Sequence, residues 1–233
     1  MNDNNLNQLI INAGQPPLVY KFYDKETMSF MTDNALKRAG LYPQLPGPVD
    51  VEMLSEDISQ RVEFCSLPLQ YEGATQFIYG EKPIIFFNEE WMNSDAPYRK
   101  HRWRFMAAHE CAHIIFQDML FQEACRRILR RNPQFDVKAT NPLLFFNNNQ
   151  PYIWYECQAN IGAANLLMPR EHLNTIITSA IDEIVDKHPH ADSISNDYIV
   201  NSIAEEVSNV FDVSFTAAKI AVKDNLGIRR RPH

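Results

Sequence analysis

The pattern of apolar and polar residues divides this chain into a first part of short segments and a second part that is mainly helical. No glycine or proline occurs between Tyr98 and Asn132, which predicts one long helix or two abutting helices. A further helix is predicted over residues 152–168, ending at Pro169. The helical pattern after Tyr98 breaks at 132–151, 169 and 188–193.

Short apolar runs separated by turn residues make up the first part. Val62-Glu63-Phe64 predicts a strand. The runs 76–79 and 83–87 flank Gly80-Glu81-Lys82, which predicts a β-hairpin. Helical runs occur at 27–38 and 51–58. The pattern therefore predicts an α+β fold, in which a small N-terminal β-sheet precedes a mainly helical C-terminal part.

The long helical segment contains His109-Glu110-Cys111-Ala112-His113, which has the pattern His-Glu-x-x-His. Four residues make about one helical turn, so both imidazoles project from one face and can bind one Zn2+. Glu110 lies about 100° round the helix from His109, where it can accept a proton from a zinc-bound water without being a ligand. The pattern also arises by chance, and the alternative is a pair of core histidines satisfied by their neighbours.

Glu156 is the candidate for a third ligand, since a catalytic zinc site takes three protein ligands and leaves one position for water. Small or short polar residues follow it on the same helical face: Ala159, Asn160 and Ala163. Such residues suit a close helix contact at a metal. Asn160 can accept the ring N–H of a zinc-binding histidine and fix its orientation. The alternative for Glu156 is an ordinary solvated carboxylate.

These residues predict a zinc-dependent hydrolase, and the mechanism can be written for an amide substrate. Zinc lowers the pKa of bound water from about 15.7 to about 7, and Glu110 takes the proton as hydroxide attacks the carbonyl, then delivers it to the leaving amine. The developing oxyanion needs a donor besides zinc. The sequence does not rank the candidates, which are Tyr152, Tyr155, Arg170 and His172.

Four stretches, which together span residues 46–228, resemble one enzyme family. They are the metal motif with its lead-in, 104–113, the third-ligand helix with its Leu-Met-Pro ending, 156–169, and two flanking stretches, 48–52 and 211–228. In these stretches the chain resembles the ImmA/IrrE family of zinc metallopeptidases. The Leu-Met-Pro ending paired with the upstream motif is the specific part, because many unrelated zincins share the pentapeptide.

The resemblance implies a zincin-like endopeptidase that holds Zn2+ with His109, His113 and Glu156. The usual protein substrate of that family is a helix-turn-helix transcriptional repressor or an antitoxin, which implies a role in transcription regulation. In that family a strand like 83–88 runs beside the cleft, so a substrate is expected to add to its edge.

The resemblance also divides the chain. We predict three parts: an N-terminal extension at 1–45, the metallopeptidase domain at 46–228 and a basic tail at 229–233. The interval from His113 to Glu156 is longer than the resemblance leads us to expect, which indicates an insertion at about 117–151. Its aromatic residues beside a run of asparagines suit a lid or a substrate-binding loop. The alternative is an extra helix that pads the core.

Composition narrows the function classes. The net charge of −7 argues against general nucleic-acid binding. No run of 18 apolar residues predicts a membrane span, and the polar N-terminus is no secretory signal. The four cysteines form neither a zinc-ribbon pair nor an obvious disulfide framework, and Cys111 and Cys157 are predicted to be small buried side chains. We expect a cytoplasmic protein.

Two alternative functions remain at this stage. One is a zincin-fold regulatory protein that binds a partner and cleaves nothing, although the intact Glu110 argues against it. The other is a DNA-binding regulator, because 207–213 and 215–220, with Ser214 as an N-cap, have the pattern of a helix-turn-helix. Its second helix offers only Lys219 and Lys223 to a DNA groove.

Overall fold

The computed structural model describes residues 21–67, 71–89, 97–134, 143–147, 154–187 and 195–228. These residues form seven α-helices and four β-strands, so the α+β class is confirmed. The predicted basic tail at 229–233 and the oxyanion candidate Tyr152 lie outside the described residues. Within this part of the chain, no helix is both long enough and apolar enough to cross a bilayer.

Two capped helices precede the sheet, close to where the sequence predicted them. Helix α1 is Lys25–Arg38 and helix α2 is Val51–Ile58. Asp24 and Asp50 are their N-caps, and each carboxylate accepts a backbone N–H three residues on, at 2.7 and 2.9 Å. The buried apolar side chains of α1, Met28 and Leu36, belong to the main hydrophobic core, so the described part of the N-terminal extension packs into the core of the predicted metallopeptidase domain.

The sheet has four strands in the order β1-β3-β2-β4. They are β1 (Arg61–Cys65), β2 (Tyr71–Gln76), β3 (Ile84–Asn88) and β4 (Leu143–Asn147). Strand β3 pairs in parallel with β1 and antiparallel with β2, and β4 pairs antiparallel with β2. Because β3 has a neighbour on each side, the expectation that a substrate adds to the edge of 83–88 is wrong.

The predicted hairpin exists, but its first strand is β2 and not the run 76–79. Phe77 is fully buried with Phe121 and Cys125 in a small second core, the satellite cluster, against which Tyr79, Leu129 and Tyr155 pack. The run 76–79 is therefore apolar because it packs against a helix that is distant in sequence, and not because it forms a strand.

A single long helix, α3 (Pro97–Arg131), carries the His-Glu-x-x-His pattern. Its second half, together with β4, accounts for the described parts of the predicted insertion. Strand β4 pairs with β2, and the lid or substrate-binding interpretation of 143–147 stays a prediction. Phe121 and Cys125 of α3 are buried in the satellite cluster, so the alternative of a helix that pads the core is the better account of this half.

Four more helices complete the chain: α4 (Trp154–Leu167), α5 (Arg170–Lys187), α6 (Asn196–Phe211) and α7 (Phe215–Asn225). Ser214 caps α7 as predicted, and its hydroxyl accepts the N–H of Ala217 at 3.2 Å. Helices α6 and α7 bury Val207, Phe211, Ala218 and Val222 in the main core. This helix pair is therefore a packing element of the domain.

Candidate metal centre

A close approach of α3 and α4 positions the site. Gly162 of α4 faces α3 so closely that a Cβ on it would lie 2.5 Å from the ring of Phe116 and 2.7 Å from the Cβ of Ala112. Only a residue without a side chain allows this spacing. The approach brings the first turn of α4, which carries Glu156, against the turn of α3 that carries the two histidines.

Three ligand-type side chains converge at this contact. His109 Nε2 lies 3.1 Å from Glu156 Oε2, His113 Nε2 lies 3.4 Å from Glu156 Oε1, and the two Nε2 atoms are 2.9 Å apart. Ligand atoms of a tetrahedral zinc, each at about 2.0–2.1 Å, lie about 3.3 Å from one another. The spacing of the three side chains therefore fits one Zn2+.

The outer nitrogens of both imidazoles have amide oxygens as partners. His109 Nδ1 lies 3.1 Å from Asn160 Oδ1, and His113 Nδ1 lies 3.3 Å from Gln117 Oε1. Each Nδ1–H can donate to its amide oxygen, which leaves the lone pair on Nε2. Two lone pairs that face each other at 2.9 Å repel unless a metal ion or a proton lies between them. The contact expected between Asn160 and a site histidine is present, and its role toward a metal stays a prediction.

Burial and mutual charge shift the pKa values of this cluster strongly. Burial, reinforced by the charge of His113, lowers the pKa of His109 to about 4. Burial alone would raise the pKa of Glu156, but the charge of His113 and hydrogen bonds from both imidazoles lower it to about 2. For His113, burial alone would lower the pKa, but the negative charge of the Glu156 carboxylate outweighs the effect of burial, and the pKa is raised.

Glu110 lies on α3 beside these ligands and faces strand β2. Its side chain is fully buried, and Thr75 Oγ1 of β2 lies 2.6 Å from its Oε2. Its other oxygen, Oε1, has no hydrogen-bond partner among the described residues. Burial raises the pKa of Glu110 to about 7. A carboxylate with this pKa can both accept and release a proton near neutral pH.

The oxyanion candidates lie in different places. The ring of Tyr155 is 6.2 Å from the ring of His113, and burial, followed by the charge of Glu156, raises its pKa to about 12. Arg170 pairs instead with Glu26 of α1 at 3.4 Å, and His172 Nε2 lies 2.8 Å from the carbonyl oxygen of Pro43. Among the three that the structure describes, Tyr155 is the one that lies beside the ligands.

Three residues of the site were not predicted. Gln117 follows His113 by one helical turn, so the helix period alone would have indicated it. Gly73 and Thr75 carry no such signal, because strand β2 meets α3 only through the tertiary fold.

The cysteines do not join the site. All four are free thiols; Cys111 is fully buried, as expected, whereas Cys157 is only partly buried. Among the described residues, His109, His113 and Glu156 are the group of potential ligands whose atoms lie within 4.8 Å of one another.

No protein-family model and no curated protein sequence matches this chain. What the site can do chemically therefore follows from its own residues.

Proposed function

We propose that this chain is a zinc-dependent endopeptidase that hydrolyses a peptide bond in a protein target. The observation that carries the proposal is the convergence of His109, His113 and Glu156, with the buried carboxylate of Glu110 next to them. Structural zinc sites close the coordination with four protein ligands, whereas hydrolytic sites use three and a glutamate beside them. This chain has three potential ligands and a glutamate beside them, which is the composition of a hydrolytic site.

The residues have distinct tasks in this reaction. His109 Nε2, His113 Nε2 and the Glu156 carboxylate would hold Zn2+, which supplies Lewis-acid activation of a water and of the substrate carbonyl. Glu110 accepts the proton of the attacking water and passes it to the leaving amine, and its buried carboxylate lies next to the three candidate ligands, where both transfers take place. Tyr155 keeps its proton at neutral pH, so its O–H can donate to the developing oxyanion.

The wider context belongs to the same proposal. A motif-bearing helix packed against a small mixed sheet, with the third ligand on the next helix, supports a zincin-like fold of the ImmA/IrrE type. We propose a helix-turn-helix repressor or an antitoxin as the target, on the resemblance alone. Four free cysteines are consistent with action in the reducing cytoplasm.

Strand order limits how a substrate can approach. The inner strands β3 and β2 have partners on both sides, and β4 occupies the side of β2 away from β3. An extended peptide that adds to the sheet on this side therefore pairs with the outer edge of β4, or replaces β4 on β2.

Cleavage of a proteome-derived peptide mixture, read by mass spectrometry, tests the function without knowledge of the target. We expect zinc-loaded protein to generate new peptide termini with a shared sequence preference. The variant Glu110→Gln keeps the size of the side chain but removes the base, so it is expected to retain zinc and to cleave at least about 100-fold more slowly. Equal rates for the two proteins would overturn the proposal. Absence of cleavage by zinc-loaded wild-type protein would favour the non-catalytic, partner-binding alternative.

A further inference from the structure

Strand β2 lies in direct contact with Glu110, the proposed base, and the sequence did not predict this contact. Thr75 is fully buried, and its hydroxyl donates to Oε2 of Glu110 at 2.6 Å. Since a hydroxyl has one hydrogen to donate, this bond assigns Oε2 the role of acceptor. The unpartnered Oε1 is then the oxygen that is left for a proton from another source.

Gly73 contributes space on the same strand. A Cβ on this residue would lie 2.8 Å from Oε1 of Glu110 and 3.3 Å from its Cγ and Cδ. Real Cβ atoms do not approach an oxygen this closely, so any side chain at this position would displace the carboxylate or the strand. The glycine therefore allows Glu110 to lie against the backbone of β2.

The position of β2 is itself fixed from three directions. It pairs with β3 on one side and β4 on the other. From α3, Arg102 donates to both carboxylate oxygens of the buried Glu72, at 2.7 and 3.1 Å. A register shift between Tyr71 and Gly73 marks an irregularity in the ladder at this point. A strand held in this way cannot move aside cheaply to relieve a clash with Glu110.

We propose that Thr75 and Gly73 are positioning residues for Glu110, and that they present its Oε1 to the attacking water. The inference rests on the proposed function and assigns β2 a part in it. Thr75 holds Oε2, and Gly73 leaves the room in which Oε1 lies. In this scheme both residues act on the reaction only through Glu110.

Variants that remove or keep the Thr75 hydroxyl test this arrangement. Thr75→Val removes the hydroxyl at nearly constant shape, and Thr75→Ser retains it. Thr32→Val is the matched control, because Thr32 is also fully buried and its hydroxyl bonds only backbone carbonyls of α1, at 2.9 and 3.1 Å. All variants are expected to bind zinc as the wild type does.

The probe is acetohydroxamic acid, a small chelator that binds catalytic zinc as its anion, acetohydroxamate, and gives its O–H proton to the neighbouring base. By calorimetry on zinc-loaded protein, Thr75→Val is expected to bind it about tenfold more weakly, which is the worth of one hydrogen bond to a charged group. Thr75→Ser and Thr32→Val are expected to stay within about twofold of wild type. Wild-type affinity in Thr75→Val, in a protein whose affinity Glu110→Gln does weaken, would overturn the positioning role.

Gly73→Ala gives a second test, with Gly47→Ala as control because a Cβ at Gly47 would meet only one backbone oxygen, at 3.8 Å. We expect Gly73→Ala to weaken acetohydroxamate binding at unchanged zinc content and Gly47→Ala to have no effect. Equal affinities would overturn the spatial role of Gly73.

A thermal double-mutant cycle on metal-free protein separates this inference from the function itself. If Thr75 and Glu110 interact as described, the melting-temperature shifts of Thr75→Val and Glu110→Gln will not add in the double variant. Additive shifts would overturn the contact whatever the protein does. Non-additive shifts, combined with undiminished acetohydroxamate binding by Glu110→Gln, would uphold the contact but overturn the function and the positioning role with it.

Discussion

At the scale of single residues, a substitution of His113 is the most direct test of the proposed metal site. Its Nε2 lies at the convergence point, and its Nδ1 is held by Gln117. The sequence was sufficient to predict that both histidines, Glu156 and Asn160 come together beside Glu110, because each lies at helical spacing from another residue of the set. Their roles toward zinc stay predictions. The sequence was insufficient for Thr75 and Gly73, since contacts between a strand and a helix are set by tertiary packing.

We predict that His113→Ala loses most of its zinc. Two ligands remain in this variant, and a catalytic-type site needs three protein ligands to hold the ion. Elemental analysis after dialysis against a weak chelator measures the content, with His101→Ala as the control because His101 contacts Asp212 and not the site. Full zinc retention in His113→Ala would show that the ligand assignment is wrong.

At the scale of helices and strands, the sequence predicted some elements well and missed others, because some are set by local signals and others by tertiary contacts. Helix α2 begins and ends where the sequence indicated, since its capping Asp50 and its apolar spacing are both local signals. Strand β4 had no such signal: it lies far along the chain from its partner β2, and the break at 132–151 concealed it. The contact of α3 with α4 likewise depends on one glycine, Gly162, that the sequence did not single out.

We predict that Gly162→Ala destabilises the protein, although helix propensity alone favours alanine by about 1 kcal/mol. The added Cβ would overlap the ring of Phe116 and force α3 and α4 apart. Overpacking of this kind costs about 1–3 kcal/mol in the free energy of unfolding. Chemical denaturation measures it, and zinc affinity should fall in parallel because Glu156 moves away from the histidines. A stability equal to or above that of the wild type would contradict the tight contact.

At the scale of the whole molecule, Asp212 at the end of α6 connects the C-terminal helices to α3. This residue adopts the left-handed conformation, with φ 52°, and its carboxylate lies 2.7 Å from Lys100 Nζ and 3.3 Å from His101 Nε2. Arg104 Nε lies 3.2 Å from its backbone oxygen. The C-terminal helices are thereby joined to the start of the helix that carries the metal motif. The sequence predicted the turn at this point but not the ion pairs across it.

We predict that Asp212→Asn lowers stability near neutral pH by about 1 kcal/mol. Asparagine tolerates the left-handed conformation, so the variant removes mainly the charge. Burial would raise the pKa of Asp212, but the hydrogen bond from Lys100 and the charge of Arg104 lower it below its ordinary 3.8. A lowered folded-state pKa gives stability that is present above pH 3.8 and is lost as the pH falls through the folded value.

Denaturation curves of the wild type and of Asp212→Asn at several pH values measure this difference. The gap between the two proteins should close as the solution becomes more acidic than pH 3.8. Asp224→Asn is the control, because its ion pair with Lys25 is solvent-exposed on both sides and should matter little at any pH. A gap that stays constant down to strong acid would contradict the role of the charge.

Because α3 is one continuous helix, it fixes how the site residues are rotated about the helix axis. A helix fixes rotation as well as distance, and one extra residue turns everything beyond it by about 100°. An insertion between His113 and Gln117 would rotate Gln117 away from the imidazole and Phe121 and Cys125 out of the satellite cluster. One helix therefore fixes the rotation of the two histidines relative to the satellite cluster, and the chain between them has no freedom to change length.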